Sequence, residues 1–261
     1  MNFFRIKYLR YLLFSRHRKG HGIHSPFVFD LVSRVFRNKT DHNVVLMIEN
    51  IRNKNISGGR IISVNDPGAG SSRMKGNLRK VSDIVRYSAV PEKYGILLWR
   101  MAKEFGRHCI VELGTSAGIS TMYLASGSGN STVYTIEGCP ATAEIAEANF
   151  KMAGIKNIKL LTGSFDDKLP ELVEKQIRPG LVFIDGNHRK EPAVRYFGQI
   201  ADISDRETVI IIDDIHSSGE MEEAWSVIKN HEKVSLTVDI FRMGFVFFRE
   251  GINRFNYVIR Y

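Results

Sequence analysis

C-I-V-E-L-G-T-S-A-G-I-S, residues Cys109 to Ser120, is the stretch on which the reading of this 261-residue chain turns. Cys109, Ile110 and Val111 predict a short buried strand, and Glu112 puts an acid at its carboxyl end. Gly114 and Gly118 make the turn that follows, and a helix opens at Ile119 and Ser120. A strand that feeds a helix through small residues leaves backbone N–H groups and the positive end of a helix dipole at the strand tip. Glycines there have no side chain to block a ligand that approaches the backbone. The same pattern also serves as an ordinary strand–turn–helix, so the stretch needs support from further along the chain.

That support is S-T-V-Y-T-I-E, Ser131 to Glu137, a second strand ending in an acid. Glu137 lies 23 residues after Gly114, close to the roughly 20-residue spacing at which an acid takes a ribose hydroxyl pair. The dinucleotide fingerprint G-x-G-x-x-G is absent. A carboxylate at Glu112 would repel a pyrophosphate and suits a cofactor with a positive amino or sulfonium group. At this point residues 88–250 resemble the class I S-adenosylmethionine-dependent methyltransferases, and more narrowly the O-methyltransferases of the catechol and macrolide-sugar type. The resemblance implies an α/β, Rossmann-like fold: a mostly parallel seven-stranded sheet with an antiparallel C-terminal edge strand. It also implies a donor site made by Glu112, Gly114, Ser116 and Gly118, with Ser120 near the methionine carboxylate and Glu137 on the ribose. Ser164 and Phe165 would border the adenine, although helix capping and core packing explain the same two residues.

Composition agrees with a folded domain, 43% hydrophobic and 25% charged. Two cysteines, Cys109 and Cys139, suit reduced thiols in a cytoplasmic protein rather than a disulfide scaffold. The net charge of +9 is uneven. Residues 1–100 hold 19 Lys and Arg against 6 Asp and Glu, whereas the remainder holds 18 against 22. The basic part is residues 1–87, expected to form a mainly helical extension or lid on a donor-binding domain at 88–261. Such a region suits an acidic partner, RNA or an anionic membrane surface, and equally a solvated face. The apolar runs near the N-terminus are too short and too interrupted by Arg5, Lys7 and Arg10 for a signal peptide, and no stretch has the roughly 20 apolar residues of a membrane span.

Within the extension, Ser25 and Pro26 predict an N-cap and first helical position. Val28, Leu31, Val32, Val35 and Phe36 then make one apolar stripe that needs a partner, on the main domain or in a homodimer. His17, His21 and His24 lie close in sequence but have no Cys or acid beside them, so they read as loop histidines. Arg60 to Ser72 mimics a strand and a glycine-rich turn, G-A-G-S, but no acid-tipped second strand follows at the right distance. The segment from Arg73 to Tyr87 reads as helical, and Pro91 to Phe105 as a helix ended by Gly106. The remainder alternates strand and helix, with strands at Ile158–Leu161, Leu181–Asp185 and Val209–Asp213, and then an apolar pair at Ser235–Ile240 and Gly244–Phe248.

The acceptor chemistry sits on two strand tips. I-D-G-N-H places Asp185 at one tip with His188 three residues on, and I-D-D-I-H places Asp213 and Asp214 at the next with His216 beside them. Clustered carboxylates repel unless a cation joins them, and an oxygen-only set suits Mg²⁺. Such an ion lowers the pKa of a substrate hydroxyl, and a histidine takes its proton. The resemblance implies metal-binding acids at Asp185, Asp213 and Asp214, with Asn commonly in place of Asp214. It implies a base at His216 by the macrolide-sugar pattern, or at the position of His188, a lysine in the catechol enzymes. Asp185 is open to a second reading, a contact to the donor's amine. Neither N-P-P-Y nor a P-C nucleophile is present, which favours methylation of a hydroxyl. The expectation is an S-adenosylmethionine-dependent O-methyltransferase for a small hydroxylated molecule, assisted by Mg²⁺. Alternatives are an RNA hydroxyl methyltransferase that uses the basic N-terminal region, and a non-catalytic nucleic-acid or membrane-surface binding module.

Overall fold

The structure is a computed structural model that describes residues 3–15, 23–65, 74, 76–251 and 254–261. In chain order the elements are α1 (Phe3–Phe14), α2 (Pro26–Asp30) running on into a π-helical turn (Leu31–Val35), α3 (His42–Ser57), β1 (Ile61–Ser63), β2 (Leu78–Lys80), α4 (Val81–Ser88) and α5 (Glu92–Phe105). They continue as β3 (Cys109–Leu113), α6 (Ile119–Gly127), β4 (Thr132–Glu137), α7 (Pro140–Ala153), β5 (Ile158–Thr162), α8 (Phe165–Glu174), β6 (Leu181–Ile184), α9 (Lys190–Ile203), β7 (Val209–Ile212), α10 (Gly219–Lys229), β8 (Leu236–Asp239), β9 (Gly244–Phe247) and β10 (Phe255–Val258). The main sheet is mostly parallel and has eight strands, one more than the seven expected, because β10 pairs alongside β8. The chain divides into two compact units, residues 39–181 and residues 1–38 with 182–261.

In the 39–181 unit, β3 pairs in parallel with β4 (Val111 opposite Tyr134) and β4 with β5 (Thr135 opposite Leu160). All five residues of β3 are buried, as expected of a parallel strand covered on both faces. The strand read at 61–63 exists as β1, but it pairs antiparallel with β2 in a separate ribbon, Ile62 opposite Arg79. The segment expected to be helical from Arg73 therefore becomes a helix only at Val81, since pairing with β1 takes residues 78–80 first. The glycine turn of that stretch lies outside the described residues, as do His17 and His21.

In the other unit the strand order is β6, β7, β9, β8, β10. β9 is the antiparallel strand expected near the C-terminus, pairing with both β7 (Ile212 opposite Gly244) and β8 (Asp239 opposite Gly244). A side chain at Gly244 would stand 2.6 Å from the Trp225 ring, so glycine lets α10 sit close to the sheet. The apolar stripe of residues 28–36 is buried. Phe36 packs on Phe245, ring centres 5.2 Å apart, and Phe27 packs on Phe247 at 5.0 Å. Tyr11 of α1 donates to the Ile259 carbonyl at 2.6 Å and accepts from the Tyr261 N–H at 3.0 Å. These contacts group residues 1–38 with the C-terminal strands, so neither unit ends at residue 87.

Candidate active site

The donor side is built in the 39–181 unit. Glu112 is completely buried, and its Oε2 accepts from Thr121 Oγ1 at 2.5 Å and Thr135 Oγ1 at 2.7 Å. Thr135 also meets Thr115 Oγ1 at 2.6 Å. The acid thus joins the turn, the first turns of α6 and the middle of β4 through three hydroxyls. It is a support beneath the turn rather than an exposed charge. Above it, the N–H groups of Gly114 and Thr115 both donate to the Ile136 carbonyl, at 3.1 and 3.2 Å.

Three residues of the turn have positive φ: Gly114 at 102°, Ser116 at 48° and Gly118 at 78°. A side chain at Gly118 would also lie 2.4 Å from the Phe150 ring. The Glu137 carboxylate spans the turn, accepting from the Ser116 N–H at 2.8 Å and the Cys139 N–H at 2.9 Å. Ser120 is buried on α6. Ser164 caps α8, accepting from the Asp167 N–H at 3.1 Å and donating to its carboxylate at 2.6 Å. Phe165 follows half-buried in the first turn of that helix.

The acid-rich side lies in the other unit. Asp185 follows β6, and its Oδ1 is 3.4 Å from His188 Nε2. Burial disfavours the imidazolium, but the Asp185 hydrogen bond and the charges of Asp185, Asp214 and Asp213 outweigh it and push the His188 pKa up to about 9. His188 therefore carries its proton at neutral pH. Asp213 has no exposed surface. Arg242 grips it from both sides: Nε reaches Oδ1 at 3.0 Å and Oδ2 at 3.1 Å, and Nη2 reaches Oδ2 at 2.6 Å. Burial and the charges of Asp185 and Asp214 push Asp213 up in pKa, and Arg242 opposes them. The two-pronged geometry is that of an ionised carboxylate on a guanidinium. Arg242 Nη2 is also 3.8 Å from Asp214 Oδ1.

Two expectations bear on this geometry. Mg²⁺ demands several oxygens in a near-octahedral set, whereas both oxygens of Asp213 face a guanidinium that also approaches Asp214. The donor set of Asp185, Asp213 and Asp214 does not fit that ion, and among the described residues no group of three His, Cys, Asp or Glu side chains is arranged to hold a metal. The other concerns His216. Its Nδ1 meets Glu222 at 3.1 Å and its Nε2 meets Asp239 at 2.8 Å, so neither nitrogen is open to an acceptor. Burial works against the charged ring, but the two carboxylates prevail and raise its pKa. Phe241 stacks on it at 5.3 Å, and Lys7 of α1 pairs with Glu222.

Comparison with known proteins shows what the chain is similar to. Residues 111–215 match a methyltransferase domain family. That matched stretch runs from β3 to the residue after Asp214. It is 33% identical over 133 residues to a catechol O-methyltransferase of Mycobacterium tuberculosis, covering 50% of this chain and 59% of that protein. A catechol O-methyltransferase of Niastella koreensis is 35% identical over 115 residues, 43% of this chain and 51% of that one. The chain thus spans between half and three fifths of the length of these relatives. An O-methyltransferase from Bacillus cereus in complex with SAH shares the fold with a TM-score of 0.56 at 20% identity, over 81% of this chain and 93% of its own. SAH-bound methyltransferase from Podospora anserina gives 0.61 at 14%, over 87% and 97%.

Sequence reading missed Arg242, which lies between the apolar pair Ser235–Ile240 and Gly244–Phe248. It also missed Thr121 and Thr135, hydroxyls on a helix and a strand with no motif of their own. The register that sets Gly244 opposite Ile212 is the one signal that brings residue 242 beside Asp213.

Proposed function

We propose that the chain is an S-adenosylmethionine-dependent O-methyltransferase that transfers a methyl group to a hydroxyl of a small molecule. The observation that carries this reading is Glu137, an acid at the tip of β4 held by the Ser116 N–H of the glycine turn and by the Cys139 N–H at the start of α7. In the free protein those groups stand in for ribose hydroxyls. Glu137 would hold the ribose of a bound donor, and Gly114, Ser116 and Gly118, with Ser120, would hold its methionine portion. Phe165 offers a ring face to the adenine, while Ser164 fixes the helix that presents it.

On the acceptor side, Asp214 is the carboxylate of the cluster with most access, 36% exposed. It accepts the hydrogen bond of the attacking hydroxyl. S-adenosylmethionine, when bound, would supply a methyl group on a sulfonium, and a hydroxyl attacking that carbon as the C–S bond breaks would give its proton to Asp214 and then to water. His188, protonated at neutral pH, steadies the negative charge that develops on the oxygen. The two buried free thiols, Cys109 and Cys139, suit a reducing compartment, and no helix of the described residues is long and apolar enough to cross a membrane.

The test is calorimetric titration with S-adenosylhomocysteine. The wild type is expected to bind, and Glu137→Ala to bind about 10-fold or more weakly, the effect of losing about 1.4 kcal/mol. Equal affinity in the variant removes the ribose assignment. Transfer of labelled methyl to a panel of phenols and sugars then identifies the acceptor.

A further inference from the structure

We infer that Arg242 is the resident cation of the acid cluster, and that it does the charge work a divalent ion would do between Asp213 and Asp214. The charge argument stands on this unit alone. Its relevance to methyl transfer rests on the function proposed above.

Two consecutive carboxylates, one of them fully buried, need compensating positive charge, since an unpaired buried charge costs several kcal/mol. Arg242 supplies it with three contacts to Asp213 and an approach to Asp214. Asp185 has its own partner in His188. Both consecutive acids therefore face the one guanidinium, and Asp185 has a separate partner. The guanidinium is also held in place by its backbone. The Arg242 carbonyl accepts from the Ile215 N–H at 3.2 Å, and its own N–H donates to Ile240 at 3.0 Å. The loop that carries Arg242 is thus tied to the loop that carries Asp214, which itself has a positive φ of 55°. A planar fork suits this position, because a lysine would offer one point charge where two parallel hydrogen bonds are made.

This arrangement narrows the acceptor. A metal ion recruits a substrate by taking two neighbouring oxygens into its coordination sphere and acidifies the one that reacts. A guanidinium already clasped to Asp213 does neither. The acceptor then needs only one hydroxyl, directed to Asp214. That hydroxyl must ionise without help from a metal, so it belongs to a phenol, whose pKa is about 10, rather than to an aliphatic alcohol. The substrate class is a monophenol, with no requirement for a vicinal pair.

The test follows Mn²⁺ binding by electron paramagnetic resonance on the full chain, with S-adenosylhomocysteine titrated in parallel. Wild type is expected to show no saturable Mn²⁺ binding up to about 1 mM, the weak end of protein sites for hard cations. Arg242→Ala is expected to gain Mn²⁺ affinity, and the added change Asp214→Asn to remove the gain. One Mn²⁺ bound per wild-type chain, displaced by Mg²⁺ and lost in Asp214→Asn, overturns the inference. Should Arg242→Ala not fold, the wild-type titration alone decides. Failure of S-adenosylhomocysteine to bind defeats the donor reading and leaves the metal result to stand by itself. A second readout is transfer in EDTA: monophenols are expected to react as fast as without chelator, and a vicinal diphenol to have no advantage. Transfer confined to the diphenol and abolished by EDTA also overturns it.

Discussion

Glu112 ties the glycine turn to the elements on either side of it. It is wholly buried, and its partners Thr121 and Thr135 come from the two elements that flank the turn. Thr121→Val removes a donor from a charged acceptor, a change that costs about 1.5–3 kcal/mol. Urea unfolding of the variant should show that loss, whereas a change within a few tenths of a kcal/mol would show that the network is not a support. Gly118 is constrained twice, by a φ of 78° and by the Phe150 ring 2.4 Å from any added side chain. Gly118→Ala combines left-handed strain of about 1 kcal/mol or more with a clash that shifts Phe150. It should lower the melting temperature and weaken S-adenosylhomocysteine together. A variant that binds normally would mean the turn tolerates rearrangement without cost to the donor site.

Individual elements show what in the chain was readable in advance and what was not. The acid-tipped strands β3, β4, β6 and β7 were legible because each is a short apolar run bounded by polar turns. The start of α2 was legible from Ser25 and Pro26, and the end of α5 from Gly106. What was not legible depends on pairing across long stretches of chain. Arg242 meets Asp213 across 29 residues, only because β9 inserts between β7 and β8. Lys7 meets Glu222 across 215 residues. His216 looked available because its neighbours in sequence are acids and small residues, but its ring partners, Glu222 and Asp239, come from α10 and β8. The grouping of residues 1–38 with the C-terminal strands has the same origin, and Tyr11 is its clearest test. Tyr11→Phe leaves the Ile259 carbonyl and the Tyr261 N–H without the hydroxyl they share, at a cost of about 1–3 kcal/mol. Hydrogen exchange should then rise in α1 and β10 while α6 keeps its protection. Unchanged exchange in α1 would mean that helix is held by other contacts.

Stability of the molecule as a whole should respond to alkaline pH through its histidines. The folded state raises the pKa of His188 from 6.5 to about 9, and that of His216 upward as well. A group with a raised folded pKa binds its proton more tightly in the native state than in the unfolded chain. Its contribution is therefore complete below the unfolded pKa and disappears as pH rises through the folded one. For His188 the window runs from about pH 6.5 to about 9. The shift corresponds to roughly 3 kcal/mol at 1.36 kcal/mol per pKa unit. The side chain keeps 31% exposure, so solvent screening reduces this to about 2 kcal/mol. Urea unfolding free energies measured at intervals from pH 6 to 10 should fall across that window in the wild type. In His188→Gln the Asp185 partner loses its cation, so the variant starts less stable at pH 6, but its curve should be flatter by the His188 share. Part of the remaining slope belongs to His216, and the rest to buried acids with raised pKa such as Asp213 and Cys109, so the double variant with His216→Gln should be flatter still without being level. If His188→Gln falls as steeply as the wild type, His188 is not the protonated partner of Asp185 at neutral pH. The acceptor hydroxyl would then meet a neutral imidazole able to compete with Asp214 for its proton, and the base would have to be reassigned.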